Sequence, residues 1–399
     1  MTERLDHARI LIYCHDSFGL GHLRRCRAIA HSLVANYKGV SVLILSGSPI
    51  IGSFDFKARV DFVRIPGVTK LKDGEYTSLG LHIDLDQTML MRESIIYHTA
   101  ASFKPDLFLV DKEPTGLRGE VVSTLRMLRD GGTVNVLGLR DVMDETSALK
   151  EEWERKQVQP VLEELYHDIL VYGLREMGNP VESIGLSDTV KQKITYTGYL
   201  DRELPSDRNW IAPVSINDPY ILVTAGGGGD GVEMVDWVIS AYETDSRLPC
   251  RAIIVTGPFM QPAHQQEFHD RCETLDKVEI INFDSHIELL MSKAVGIVAM
   301  GGYNTFCEIL SLDKPALIVP RSVPRQEQSI RASRATDLGL VSMLDPDSDR
   351  DPAKMASALY RLSDQAPPSE NTIPGLLDGH DNIAELVRLR LEIPLSMEA

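Results

Sequence analysis

His22 stands behind a short glycine turn, Gly19-Leu20-Gly21, at the end of an apolar run, and a histidine so placed can act as a general base. A helix beginning at Gly21 sets its positive N-terminus against the imidazole, which lowers the pKa and keeps the ring neutral near pH 7. A neutral imidazole can take a proton from a hydroxyl or a water. A histidine that only caps its own helix is the plainer reading of the same spacing. Arg24, Arg25 and Arg27 follow on different faces of one turn, so not all can reach a ligand.

Two further glycine clusters have the chemistry of phosphate binding. Gly226-Gly227-Gly228-Gly229-Asp230-Gly231 and Gly301-Gly302 each lie between an apolar run of strand length and a helical stretch. Backbone N–H groups there can approach an anion, and the helix N-terminus behind them carries about half a positive charge. Glu308, at i+4 from Asn304, faces the same side and can accept from a ribose diol. An ordinary turn between strand and helix would need the same glycines. The first loop lacks the Lys-Ser/Thr ending of an ATPase P-loop, and Arg24 occupies the third position of a G-x-G-x-x-G, which argues against a nicotinamide-dependent dehydrogenase.

Asp111, Lys112 and Glu113 end a strand of the first half, where they can bind a hydroxylated acceptor or supply a second base. A Lys-Glu pair at a polar strand end is the plainer reading. Arg140 and Asp141 have the same status. Asp84 and Asp86 form a D-x-D, too short and common a string to support a metal. No metal site and no cofactor are expected.

The elements that position these residues repeat one pattern twice. Apolar runs at residues 8–15, 41–45, 62–65, 106–110, 134–139 and 169–172 read as buried strands, with helices at 21–35, 85–103 and 117–129 between them. After a polar, proline-bearing linker at 201–219 the alternation restarts, with strands at 220–225, 251–256, 279–283, 295–300 and 316–319, and a polar loop at 321–332. Helices are expected to about 242, at 304–312, and at 352–362 and 381–391. This predicts an α/β protein of two Rossmann-like, doubly wound parallel sheets facing a cleft, with domains at 1–205 and 215–399. In such sheets ligands bind at the carboxyl ends of the strands.

Composition narrows the partners. The chain has 399 residues, 41 Lys plus Arg against 58 Asp plus Glu, and a formal charge of −17. So acidic a surface argues against nucleic acid or an anionic bilayer as the main partner. Peripheral membrane contact through a local patch, such as Arg24 to Arg27, stays open, as does the oligomeric state. Five scattered cysteines suggest reduced thiols and a cytoplasmic protein, and no apolar run reaches the ~18 residues of a membrane span.

Residues 283–332 clearly, and 19–33 more loosely, resemble glycosyltransferase family 28, which has the two-domain GT-B architecture. The carrying strings are Phe283 to Ile287, Gly302 with Glu308, and Pro315-Ala316-Leu317-Ile318-Val319-Pro320 followed by Gln326 to Gln328. The resemblance implies a nucleoside site of Phe283, Ile287 and Glu308. It implies diphosphate contacts from Gly19, Gly21, Gly226, Gly227, Gly228, Gly301, Gly302, Tyr303, Asn304 and Thr305. Sugar contacts would come from Arg325, Gln326 and Gln328, and His22 would activate the acceptor hydroxyl. Two departures leave the donor sugar open. Met300-Gly301-Gly302 replaces Arg-Ser-Gly, and Glu327 replaces one of two adjacent glutamines. The string Gly21-His22-Leu23-Arg24-Arg25-Cys26 is nearer to the UDP-sugar hydrolase of the pseudaminic acid pathway, in which the histidine would activate water.

The resulting expectation is an inverting, metal-independent glycosyltransferase that uses a nucleotide sugar, a UDP-sugar by resemblance, and a hydroxyl acceptor. A nucleotide-sugar hydrolase is the alternative, and a non-catalytic nucleotide-sugar binder is a third reading. The length of the first half, about 200 residues, favours transfer, because a hydrolase needs no large acceptor surface.

Overall fold

The computed structural model of the protein describes every residue except 1–6, 16–20, 71–75, 179–180, 182–183, 206–209, 324, 346–348 and 393–399. The chain forms two compact units. The first comprises Met1–Arg175, Asn179–Leu200 and Gly375–Ala399, and the second Glu176–Gly178 and Asp201–Pro374.

The first unit opens with β1 (Arg9–Cys14), α1 (Gly21–Asn36), β2 (Ser41–Ser46) and β3 (Val60–Arg64). A small antiparallel pair, β4 (Val68–Lys70) and β5 (Tyr76–Ser78), precedes α2 (Leu85–Phe103) and β6 (Leu107–Asp111). Then come α3 (Val122–Asp130), β7 (Val134–Arg140), α4 (Thr146–Arg155), α5 (Val158–Leu165), β8 (Asp168–Tyr172), α6 (Asp188–Lys191) and β9 (Ile194–Tyr196). The strands form one parallel sheet in the order β3-β2-β1-β6-β7-β8-β9. β6 and β8 are buried along their whole length, as expected of strands covered on both faces. The strand order reverses between β1 and β6, so the carboxyl ends of these two strands flank the switch point. They deliver His15 and Asp111 there.

The second unit repeats the plan with β10 (Tyr220–Thr224), α7 (Val232–Thr244), β11 (Arg251–Val255), α8 (Pro262–Cys272), β12 (Val278–Ile281) and α9 (Ile287–Lys293). It continues through β13 (Gly296–Ala299), α10 (Tyr303–Ser311), β14 (Ala316–Ile318), α11 (Glu327–Asp337), β15 (Ser342–Met343) and α12 (Pro352–Leu362). The parallel order is β12-β11-β10-β13-β14-β15, which puts the switch point between β10 and β13. The two glycine clusters follow those two strands. Each unit has its own apolar core, around Phe108, Leu137 and Tyr166 in the first and Trp237, Ile254 and Phe268 in the second.

Two expectations are corrected. Residues 327–332, read as part of a polar loop, belong to α11, whose buried side includes Gln328, Arg331, Ala332 and Ala335. The last helix, α13 (Gly379–Glu392), belongs to the first unit rather than to a domain at 215–399. Its Ile383, Ala384 and Val387 are buried, the Tyr37 hydroxyl donates to the Ala384 carbonyl at 2.8 Å, and Arg390 makes a two-pronged pair with Asp168 at 2.6 and 2.7 Å. An amphipathic helix announces a buried face but not which sheet covers it.

Candidate functional site

In the first unit His22 lies in the first turn of α1 and reaches the end of β6. Its Nδ1 is 2.6 Å from Asp111 Oδ2. Arg25, one turn further along α1, grips the same carboxylate with Nε on Oδ1 at 2.8 Å and Nη2 on Oδ2 at 2.7 Å. The His22 side chain is 21% exposed, whereas Arg25 and Asp111 are 2% and 1% exposed. A two-pronged arginine pair at that depth fixes the carboxylate, and the carboxylate fixes the ring.

This arrangement sets the tautomer. A carboxylate at 2.6 Å requires the proton on Nδ1, so Arg25 Nη2, 2.9 Å from the same nitrogen, lies beside it without donating to it. The lone pair is left on Nε2, on the side of the ring away from Asp111. Burial lowers the imidazole to about 4, with the Asp111 charge pulling the other way. Burial would raise the Asp111 carboxyl, but the Arg25 and His22 charges hold it well below the usual carboxylate range. At neutral pH the pair is therefore imidazole and carboxylate. His15, with its ring centre 5.9 Å from that of His22 and edge-on to it, is also held neutral, mainly by burial and then by the charge of Lys112.

The loop after Asp111 is tied down from several elements. Lys112 has φ +69°, a conformation uncommon for a lysine, and its N–H donates to the Gly138 carbonyl at 2.7 Å. The Tyr13 hydroxyl donates to Glu120 at 2.6 Å and accepts from the Leu117 N–H at 3.3 Å. Arg92 holds Glu120 through Nε and Nη2. Asp111 and Glu113, read as acceptor contacts or a second base, both have partners within the unit. Both Asp111 oxygens are engaged by α1, and buried Glu113 pairs with Lys156 at 2.7 Å. Lys112 is 15% exposed, with its Nζ 3.9 Å from Glu113. Gly21 begins α1, while Gly19 lies outside the described residues.

In the second unit the two glycine loops meet the ends of β10 and β13. Gly228 has φ +92° and stands where a Cβ would overlap the Thr256 carbonyl oxygen. Gly257, at φ +89°, stands where a Cβ would lie 2.6 Å from the Gly226 carbonyl oxygen. The loops after β10 and β11 thus interlock backbone to backbone. Gly301 has φ +76° and turns the chain into α10, whose cap is Gly302. Tyr303 is buried, so it offers an anion only its backbone N–H, together with those of Asn304 and Thr305. Glu308, on the same helix, is also buried.

α11 brings Gln328 to this turn, with its Nε2 4.0 Å from where a Gly302 Cβ would stand. Gln328 Oε1 accepts from the Arg321 N–H at 3.1 Å. Arg321 also bridges the first glycine loop and α11, through Asp230 at 3.1 Å and Glu327 at 2.8 Å. Gln326 caps α11 and Arg325 precedes it. Phe283 is 54% exposed beyond β12, and Ile287 is the first residue of α9.

Sequence reasoning missed two cations here. Arg202, within the linker stretch, donates its backbone N–H to the Ser311 hydroxyl at 3.0 Å and its Nη2 to Asn304 Oδ1 at 2.9 Å. Its guanidinium therefore reaches the first turn of α10. Arg331 is fully buried, donates to the Gly301 carbonyl at 3.0 Å and lies over the Tyr303 ring at 5.7 Å. A single arginine at a sequence distance of 30 or 102 residues from its partner leaves no local pattern.

Among the described residues no group of three or more His, Cys, Asp or Glu could hold a metal ion, and no helix is long and apolar enough to cross a membrane.

Residues 221–385 match the glycosyltransferase family 28 C-terminal domain. No curated protein sequence matches significantly. Among solved structures, the glycosyltransferase of kitacinnamycin superposes with a TM-score of 0.65 at 15% identity, over 97% of this chain and 100% of that one. The calicheamicin glycosyltransferase CalG4 gives 0.63 at 17% identity, over 98% and 100%. MurG of Acinetobacter baumannii gives 0.60 at 12% identity, over 96% and 99%. Residues 221–385 are thus similar to the glycosyltransferase family 28 C-terminal domain, and the chain as a whole has the fold of the GT-B glycosyltransferases.

Proposed function

We propose that the protein moves a sugar from a nucleoside-diphosphate donor, a UDP-sugar by its resemblance, to a hydroxyl acceptor, inverting the anomeric centre without a metal ion. The observation that carries this reading is the His22–Asp111–Arg25 constellation, a neutral imidazole with its proton on Nδ1 and its lone pair on Nε2. His22 Nε2 takes the acceptor proton as the acceptor oxygen attacks the anomeric carbon. The bond from that carbon to the diphosphate oxygen breaks, and the diphosphate leaves with the electron pair. One displacement at one carbon inverts it.

The charge arriving on the diphosphate is met by the N–H groups at the start of α10 and in the loop of Gly226, Gly227 and Gly228, by the helix dipole, and by Arg202 and Arg321. These are fixed donors and cations, which supports a reaction that needs no metal. Phe283 and Ile287 flank the base, Glu308 accepts from the ribose, and Gln328 with Gln326 and Arg325 faces the sugar. Lys112 faces the acceptor. Scattered free cysteines support a cytoplasmic setting.

The test is to incubate the protein with UDP-, GDP-, dTDP- and ADP-sugars and a mixture of hydroxyl acceptors. Nucleoside diphosphate should be released only when acceptor is present, at a rate indifferent to EDTA, and NMR should find the product with the anomeric configuration opposite to the donor's. Release at full rate without acceptor would make water the acceptor and the protein a hydrolase. Sensitivity to EDTA or a retained configuration would overturn the corresponding part of the mechanism.

A further inference from the structure

Three tryptophans occur in the chain, and two of them, Trp153 and Trp237, are buried at 6% and 1% exposure in the cores. The third, Trp210, is half-buried on an irregular stretch before β10. Its indole N–H donates to Asp284 Oδ2 at 3.4 Å, and Asp284 Oδ1 accepts the His286 N–H at 2.6 Å. Asp284 therefore ties the indole to the loop between β12 and α9. Phe283 precedes Asp284 and is 54% exposed, Ile287 follows three residues later, and Ile211 beside Trp210 is 87% exposed. Aromatic and aliphatic surface in water beside one oriented indole is unexplained by packing within the unit.

We propose that Trp210 is a wall of the nucleoside pocket, on which the base of the nucleotide donor stacks. The inference rests on the nucleotide-sugar reading of the second unit and adds a residue that neither the family strings nor the glycine loops include. An indole offers a flat apolar face to any base, and the Asp284 hydrogen bond at its edge limits its rotation. The loop of Phe283 and Ile287, which the sequence resemblance associates with the base, is the one the indole is fastened to. Stacking of this kind tolerates different bases, so Trp210 sets affinity for the nucleoside part and leaves the choice of base to polar contacts.

The experiment compares wild type, Trp210→Ala and Trp210→Phe by calorimetric titration with UDP, GDP, dTDP, ADP and inorganic pyrophosphate, with tryptophan emission followed in parallel. Trp210→Ala should weaken whichever nucleoside diphosphate binds wild type by about 5- to 150-fold, the range for one aromatic–base stack. Pyrophosphate affinity should stay within twofold, and Trp210→Phe should recover most of the loss. Nucleotide, but not pyrophosphate, should quench wild-type emission, and the quench should vanish in Trp210→Phe because Trp153 and Trp237 are buried. Wild-type binding of a nucleotide with no change in Trp210→Ala, or equal losses for nucleotide and pyrophosphate, would overturn the proposal and leave the nucleotide-sugar reading standing. Failure of wild type to bind any of the four diphosphates would overturn both.

Discussion

Asparagine at Asp111 should lower kcat/KM by about two to four orders of magnitude, the scale on which loss of an orienting carboxylate disables a histidine base. The amide matches the carboxylate in shape, but its NH2 group can donate to Nδ1, which would move the imidazole proton to Nε2 and remove the base. The same change strips the buried Arg25 guanidinium of its anion. Breaking one side of a buried pair costs about 3 to 5 kcal/mol, so the variant should also melt earlier. Activity and melting temperature together check the claim, since a variant that melts early yet turns over at the wild-type rate would deny His22 its dependence on Asp111. The pH behaviour of wild type follows from the same group. With the imidazole lowered to about 4, kcat/KM should hold through pH 6.5 and fall only as pH approaches about 4. The folded value lies below the ordinary 6.5, so the neutral ring's contribution to stability is complete above 6.5 and declines as pH drops from there toward about 4. An acid limb centred near 6.5 would contradict the account.

Alanine at Gly228 should be a strongly damaging methyl addition in the second unit. The left-handed backbone costs a residue with a Cβ about 1 to 2 kcal/mol, and overlap with a backbone carbonyl adds about 1 to 3 more. The Thr256 oxygen cannot rotate away, because it belongs to the main chain, and Gly257 behind it is itself packed against the Gly226–Gly228 backbone. Gly229, one residue on, has open space where its Cβ would stand and no left-handed φ. Gly229→Ala should therefore melt within about 1 °C of wild type, whereas Gly228→Ala should lower the melting temperature by several degrees and weaken nucleotide binding. Equal melting of the two variants would show that the loop is not locked in this conformation.

The sheets were legible because parallel strands covered on both faces are written as unbroken apolar runs. The glycine loops and His22 were legible because a turn, a dipole and a titratable ring are local features. The constellation around His22 was not. Asp111 and Arg25 look like a polar strand end and one of three arginines on a helix turn, and only the register of β1 against β6 brings them together. Asp111 was thus read as an acceptor contact or a second base, whereas its carboxylate bonds to His22 and Arg25. α11 escaped notice because its sequence, EQSIRASRATD, is polar and places Glu327, Gln328 and Arg331 on the buried side, where they bond to the glycine turn and to Arg321 instead of to an apolar neighbour. The hairpin of β4 and β5 has only three residues per strand, too few for a period to register.

The central claim is that His22 is the base of a sugar transfer, and His22→Ala tests it most directly. Donor affinity by calorimetry and turnover by diphosphate release should be measured on the same preparation. Turnover should fall at least about a hundredfold while the dissociation constant of the nucleotide sugar stays within twofold, the pattern of a group that acts only in the transition state. Unchanged turnover, or a loss of binding that accounts for the whole loss of rate, would contradict the account.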